Sequence, residues 1–519
     1  MTFPKQLRFL VILLLVVGIC FRFVNLDLKS ISFDESYTLL RSTGHTEAQM
    51  FQDIVNEQVI GREDLMKYQR MDLSRTTADV VTSLAKEEPQ LPPFYFVLTH
   101  WGMQLQDSIA VARGLSVLFG LLVLPAAYWL AWELFGSSIV SLITTALIAL
   151  SPAHVVYAQE ARPYTLWIFL TLVSSAALLR ALRYPSNRHW WLYRLTLVVG
   201  AYSYLYFGLV LVAHSIYCLF TQKLQWNQSI RRFAVSLLMW GFALASWVGF
   251  AVYNNFSPRH IAGFFNNTVS LQHLINRWVI NITRVFLDYG LGYPKFDIPY
   301  HVPFALTALL LSGYALYYLW THTEKKTSLL ILSLIGVQVV MLMLPDLILR
   351  RYRFSGETRY LFLIYLGIQF AIAYLFTKKI ASASKPGWRS IVWQAALIGV
   401  LLAGVFSGAA SSQAPYWWNK TIPINPQQTA AIVGRTAQPL VVSNTPFPNV
   451  LIALSYALDP KTKFLLAKPG TAPKIPENFT EVFLYDAYEP LLSDVQKQGY
   501  KLETFPLTEE YSYYRLVKQ

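Results

Sequence analysis

Apolar runs long enough to cross a bilayer recur along most of the chain, at roughly 7–24, 109–134, 139–157, 164–182, 190–205, 206–221, 233–253, 302–320, 327–345, 360–376 and 391–410. A spanning helix needs about 20 mainly apolar residues, so these eleven runs predict eleven spans, with the short fifth and sixth able to form one bent hairpin. Beyond residue 411 the pattern changes. Strand-length apolar runs at 439–444, 463–467 and 480–485, with 501–505 and 511–517 as closing strands, alternate with helix-like stretches at 449–458 and 490–498. Such alternation predicts a small α/β domain. The expected fold class is therefore a polytopic all-α membrane protein (1–410, with a large first outer loop at 25–107) followed by a small C-terminal α/β extracytoplasmic domain (411–519).

Composition supports the membrane reading. Charged residues make up 14% of the chain and hydrophobic ones 54%, against about 25% charged in soluble proteins. The net charge of +14 could indicate nucleic acid, but the basic residues follow one side of the predicted topology. Lys5, Arg8, Arg180, Arg183, Arg188, Arg194, Lys223, Arg231, Arg232, Lys325, Lys326, Lys378, Lys379, Lys385 and Arg389 all fall on alternate connections, with only Glu133 and Glu324 as acids near them. The positive-inside rule makes that side cytoplasmic, which puts the N-terminus inside and the C-terminal domain outside, with no nucleic-acid partner. The stretch after Lys5 and Arg8 resembles a signal peptide, but Ile19 before Cys20 is too bulky for a lipoprotein cleavage site and a retained first span is expected. Cys20 and Cys218 lie within apolar runs, so neither a disulfide framework nor a cysteine metal site is expected.

Cytoplasmic connections are short, whereas three outer segments are long: 25–107, 254–301 and the tail. In the first, Thr46-Glu47-Ala48-Gln49 is a capping-box pattern ahead of Met50, Phe51, Ile54 and Val55, and Val80, Val81 and Leu84 mark a second short helix. Both are expected to lie on the membrane surface. Chemistry is therefore sought on the outer face.

Four outer clusters stand out. Asp34 and Glu35 follow the first span, where unpaired carboxylates are costly; the bland reading is an acidic turn capping a surface helix. Glu87-Glu88-Pro89-Gln90-Leu91-Pro92-Pro93-Phe94-Tyr95 is locked extended by its proline pair and on its own reads as a rigid turn. Tyr157-Ala158-Gln159-Glu160-Ala161-Arg162-Pro163-Tyr164 is a short hairpin between spans. Its Glu160 and Arg162 could neutralise each other, or Glu160 could hold an acceptor or metal while Arg162 grips a phosphate. Arg350-Arg351-Tyr352-Arg353 with Glu357-Thr358-Arg359-Tyr360 places positive charge outside, against the trend; a lipid-borne phosphate or acidic headgroups would explain it. Arg113 opens the second span as a lone further candidate.

Taken together, Asp34-Glu35, Pro92-Pro93-Phe94-Tyr95, Arg113-Gly114-Leu115-Ser116, the stretch from Ser151-Pro152 to Tyr164, and Arg359-Tyr360-Leu361 resemble the GT-C membrane glycosyltransferases. Within these the chain resembles the glycosyltransferase family 39-like group, related to protein O-mannosyltransferases and the lipid A aminoarabinose transferase. The resemblance spans roughly residues 1–380. Two departures stand out: Gln90-Leu91 replaces the histidine usual before the proline pair, and Tyr202-Ser203-Tyr204-Leu205-Tyr206 replaces a common Thr-His-Tyr. Both weaken a metal-site expectation.

The resemblance implies a polyprenyl-phosphate-linked sugar donor and an acceptor lipid, polysaccharide or protein, with inverting transfer on the outer face of a bacterial inner membrane. Asp34 is implied as general base, with Glu35 and Glu160 as further catalytic residues. Arg113, Arg162, Tyr164, Arg359, Tyr360 and Tyr95 are implied to bind substrate or phosphate. A divalent cation near Glu160 is a possible cofactor; no nucleotide is expected, since no Gly-x-Gly-x-x-Gly or P-loop occurs. The main rival is a polytopic transporter or lipid flippase, which would place ionisable residues at mid-membrane and show internal repeats; none is visible. A non-catalytic scaffold is a third reading, and it would need no convergence of acids and arginines.

Overall fold

The computed structural model describes residues 3–256, 268–290, 298–350, 354–381, 387–420, 426–479, 481–505 and 513–518. Arg351, Tyr352 and Arg353 of the basic cluster, and Lys385 of the inner-face set, lie outside these residues. The chain divides into two compact units, each interrupted in sequence. A helical unit comprises Met1–Leu26, Glu88–Tyr95 and Arg113–Gln413, and a mixed unit comprises Asp27–Glu87, Phe96–Ala112 and Ala414–Gln519.

Every predicted run lies on a helix, but not every helix is a full span. Among the described residues seven helices are long and apolar enough to cross a membrane: Ile109–Phe135, Tyr164–Arg183, Gln228–Tyr253, Val302–His322, Lys325–Leu349, Phe362–Ala381 and Trp388–Gln413. An eighth would be the pair Ser138–Leu150 and Pro152–Ala158, bent by 60°. The other three runs form Lys5–Phe21, Asn187–Ala201 and Phe207–Thr221, of 17, 15 and 15 residues. Among the described residues, then, seven or eight of the eleven runs form helices of spanning length. The apolar windows had included Tyr202–Tyr206, which link two short helices rather than extend either.

Burial orders the helical unit. In Phe362–Ala381 89% of the apolar window is buried and in Tyr164–Arg183 78%, against 22% in Gln228–Tyr253. The first two form the centre, and the last presents side chains such as Leu238 and Phe242 outward, as a lipid-facing helix does. Close packing depends on small residues. A Cβ on Gly18 would stand 2.6 Å from the Ala149 carbonyl oxygen, and one on Gly404 2.5 Å from that of Leu150. Helices from opposite ends of this unit thus close on the last turn of Ser138–Leu150.

The mixed unit is built on a six-stranded sheet. Its strands are β1 (Val59–Gly61), β2 (Pro439–Ser443), β3 (Lys463–Leu466), β4 (Glu481–Leu484), β5 (Tyr500–Phe505) and β6 (Tyr513–Lys518), in the order β1-β3-β2-β4-β6-β5. β2 runs parallel to β3 and β4, while β1, β5 and β6 pair antiparallel with their neighbours. The tail strands fall where alternation predicts them, but β1 comes from the first outer loop. On one face Tyr37, Met50, Ile54, Leu65 and Tyr68 share a core with Val441, Leu451, Phe464 and Phe483. Leu440, Val442, Leu465 and Leu491 fill the other face. The two loop helices, Glu47–Ile54 and Thr77–Glu87, therefore differ from the surface-lying helices expected. Met50, Ile54, Val80 and Leu84 bury their apolar faces in protein.

Candidate active site

In the mixed unit, Ser32 ends an extended approach and caps helix Phe33–Ser42. Its hydroxyl accepts from the Glu35 N–H at 3.0 Å, and the Glu35 carboxylate accepts from the Ser32 N–H at 3.0 Å. Two amide donors that would otherwise lack helical partners are satisfied this way. The Glu35 carboxylate also meets the Lys420 ammonium at 2.9 Å, both groups being wholly buried. Phe33 packs edge-on against Tyr37 and Phe447, and the helix lies along Asn449–Ser455. Asp34 sits in the same turn but is only partly buried, in a first-turn position that favours carboxylates. The two adjacent acids thus do different work: Glu35 ties the turn inward, and Asp34 lies on its rim.

Glu87, from the second cluster, is likewise structural. It pairs with the buried Arg41, and its carboxylate accepts from the N–H groups of Glu47 and Ala48 at 2.7 and 3.0 Å, capping helix Glu47–Ile54. Tyr37 donates to Glu47 at 2.7 Å.

In the helical unit the sequence-predicted residues converge through shared hydrogen bonds. Arg113 is buried and donates to the Leu26 carbonyl at 2.8 Å. One turn later the Ser116 hydroxyl bonds the Tyr95 hydroxyl at 2.6 Å and donates to the Arg162 carbonyl at 3.1 Å, while Thr165 donates to the Ser116 carbonyl at 3.0 Å. The proline segment is held at both ends, by Trp247 donating to the Pro89 carbonyl and by the Phe94 N–H donating to Tyr202.

The hairpin bearing Glu160 and Arg162 is not a solvated loop, for Glu160, Arg162 and Tyr164 are all buried. The Ser151-Pro152 break creates the bend that leads into it. Arg22 holds that break, its guanidinium donating to the carbonyls of Gly18 and Ala149 at 2.7 Å each and of Ile148 at 3.2 Å. Gln159 donates to the carbonyls of Phe21 and Val24 at 2.8 and 2.9 Å, anchoring the hairpin to the first helix.

Around this hairpin lies an aromatic assembly. Tyr157 meets Tyr164 and Phe362 edge-on, and Tyr164 meets Tyr204. Tyr204 stacks on Tyr206, and Tyr206 on Tyr360 with ring centres 5.0 Å apart. The Arg162 guanidinium lies over Tyr164 and that of Arg359 over Tyr360, within cation–π reach. The charges of Glu160 and Arg359 both act on the Tyr157 phenol, and that of Arg162 on Tyr204. Glu160, Arg162, Tyr164, Arg359 and Tyr360 thus belong to one neighbourhood.

The turn carrying Arg359 is rigidly held. The buried Asp346 carboxylate accepts from the N–H groups of Phe354 and Ser355 and from the Ser355 hydroxyl, at 3.2, 2.9 and 2.7 Å. Asn281 donates to Gly356 and accepts from Thr358, and Trp278 donates to Ser355. Gln338 donates to the Tyr360 carbonyl and accepts from the Ile364 N–H. It stands just before a π-helical turn, Val339–Met343, that precedes Pro345. A wider turn there accommodates a proline that lacks an N–H. Asp346, Gln338 and Arg22 escaped the sequence reading. The signal available for Asp346 was a lone carboxylate at the end of an apolar run. Among the described residues no group of three or more His, Cys, Asp or Glu side chains could hold a metal ion.

No protein-family model and no curated protein matches the chain. Solved structures do. ArnT from Cupriavidus metallidurans bound to undecaprenyl phosphate is similar at a TM-score of 0.51 and 14% identity, over 98% of this chain and 97% of that one. The Archaeoglobus fulgidus oligosaccharyltransferase in its apo form gives 0.51 and 11%, over 95% of this chain and 73% of that one. Oligosaccharyltransferase AglB from the same organism, in complex with an inhibitory peptide and a dolichol-phosphate, gives 0.51 and 11%, over 98% and 74%. The chain has the fold of these proteins.

Proposed function

We propose that this protein is a membrane glycosyltransferase that moves a sugar from a polyprenyl-phosphate-linked donor to an acceptor hydroxyl on the outer face of a bacterial plasma membrane. One observation carries the reading: nearly the whole chain shares its fold with an enzyme bound to undecaprenyl phosphate. The fold is also that of an oligosaccharyltransferase bound to dolichol-phosphate. A cluster of two arginines and several tyrosines in the helical unit supplies the chemistry such a phosphate needs. A transporter would place its ionisable residues at mid-membrane, and a non-catalytic scaffold would require none of the acid and arginine clusters that the reading uses.

In the proposed reaction Asp34 takes the proton of the acceptor hydroxyl as that oxygen attacks the anomeric carbon. The bond from that carbon to the donor phosphate oxygen breaks on the opposite face, so configuration inverts. The electron pair leaves with the lipid phosphate, whose growing negative charge is stabilised by Arg162 and Arg359. Arg113 and Tyr95 hold the wall of the phosphate site, Tyr164 and Tyr360 orient the two guanidiniums, and Glu160 positions acceptor or sugar. Glu35 keeps the Asp34 turn in place.

The test is to incubate purified protein with a panel of polyprenyl-phosphate sugars and look for consumption of one. Asp34→Asn should lower turnover by about 10²–10⁴-fold, the usual worth of a general base, while membrane insertion is unchanged. Consumption of no donor, or undiminished turnover by Asp34→Asn, rejects the proposal.

A further inference from the structure

Within the mixed unit, a cavity of about 840 Å³ opens among residues 45–75, apart from every residue assigned above to the transfer chemistry. Small organic ligands occupy cavities of about 300–1,000 Å³, so its size admits an oligosaccharide of a few rings. The lining sets the ligand's chemistry. Asp53, Glu63 and Asp72 are balanced by Lys67, Arg70 and Arg75. Two of these pairs already meet, Lys67 with Asp53 at 3.4 Å and Arg70 with Glu63 at 3.0 Å. His45 is buried beside them and held below its ordinary range by that burial and by Arg75, so it stays neutral at pH 7. A strongly charged ligand gains little from a lining whose charges cancel.

The walls are rich in bidentate and amide groups instead. Gln49 and Gln52 add carboxamides to three carboxylates and two guanidiniums. Such groups donate and accept along adjacent hydroxyls, which an anion-binding site does not need. Met71 and Leu73 supply an apolar edge, and Leu73 is 83% exposed. The floor is fixed: the Tyr68 hydroxyl donates to Asp53 at 2.5 Å, the Thr43 hydroxyl donates to the Tyr68 carbonyl at 3.0 Å, and His45 meets the Tyr68 ring edge-on. The cavity is thus pre-organised, with polar walls around a rigid base.

We infer that this cavity binds a neutral glycan. As a statement that the acceptor is a carbohydrate, the inference rests on the transferase reading; as a binding site it stands apart from catalysis. The experiment separates the two by using full-length Asp34→Asn protein in lipid nanodiscs, where transfer is removed from the measurement. Saturation-transfer NMR is recorded with three neutral trisaccharides (mannotriose, cellotriose and chitotriose) and with inorganic phosphate as the anionic probe. At least one neutral trisaccharide should bind, and phosphate should not displace it. Gln52→Ala combined with Arg75→Ala should weaken that binding by about tenfold, as expected for two lost hydrogen-bonding groups. Both positions line the cavity without a role in the core, and an unchanged thermal melt verifies the fold. Absence of binding by all three sugars, displacement by phosphate, or undiminished binding in the double variant overturns the inference without touching the transfer reaction.

Discussion

In the mixed unit acids and bases meet in pairs: the buried Glu35 faces the buried Lys420, and the buried Arg41 faces the partly buried Glu87. The helical unit has ion pairs too, Arg180 and Arg183 with the buried Glu133, but it also sets arginines against main chain and rings. Arg22 is held by three main-chain carbonyls, Arg113 donates to another, and Arg162 and Arg359 lie against tyrosine rings. The difference is chemical. A carboxylate partner offsets a cation's charge, whereas a carbonyl or a ring face fixes the plane in which the guanidinium lies. Ion pairs suit a region that must hold its shape. Oriented guanidiniums suit one proposed to receive a phosphate, because a planar fork held in place meets phosphate oxygens in a fixed geometry.

The comparison can be broken most forcefully at Glu35. Glu35→Gln should strand the Lys420 ammonium and destabilise the protein by about 3–5 kcal/mol, read from thermal unfolding. Glu35→Gln combined with Lys420→Met should recover most of that loss. If the single variant melts like the parent, the pair is not structural. Next in size is Arg359→Ala, expected to lower transfer by about 10²-fold through donor use, with Arg359→Lys a poor rescue because an ammonium lacks the planar fork. A loss confined to the acceptor would take Arg359 out of the phosphate role.

Asp346→Asn sharpens the same point from a distance. By loosening the 354–360 turn it should raise the donor KM about tenfold. If Asp346 works only through Arg359, the double variant with Arg359→Ala should be no worse than Arg359→Ala alone. The smallest effect is titration of His45. Its imidazole is held below 6.5 by burial, so just under that pH the unfolded chain binds more protons than the folded one. Stability should therefore decline as the pH falls through 6.5 and below, and His45→Gln should flatten the decline in melts across that range.

Much of this organisation was legible in advance. Long apolar runs locate the helices, and shorter runs of strand length place β2, β3 and β4 within a residue or two, because both signals are local. The capping box at Thr46 was equally readable, since it depends on residues three apart. What could not be read depends on distant partners. Nothing in Asp34-Glu35 tells which acid faces Lys420, almost four hundred positions later. Helix Glu47–Ile54 carries a face that would suit lipid, yet it meets the tail's core. Arg22, Gln338 and Asp346 matter because a break, a π turn and a tight loop form where they stand, and those shapes have no sequence period.

Strand β1 joins residues 59–61 to β3 at residues 463–465, so the sheet edge cannot close until synthesis has passed residue 465. During translation the early loop must wait with Met50, Ile54 and Tyr68 unsheltered, a long-range pairing of the kind that delays folding. A nascent chain stalled before β3 would present that greasy surface to chaperones and proteases. Arrival of β3 is thereby a checkpoint, coupling survival of the polypeptide to residues some four hundred positions downstream of the loop.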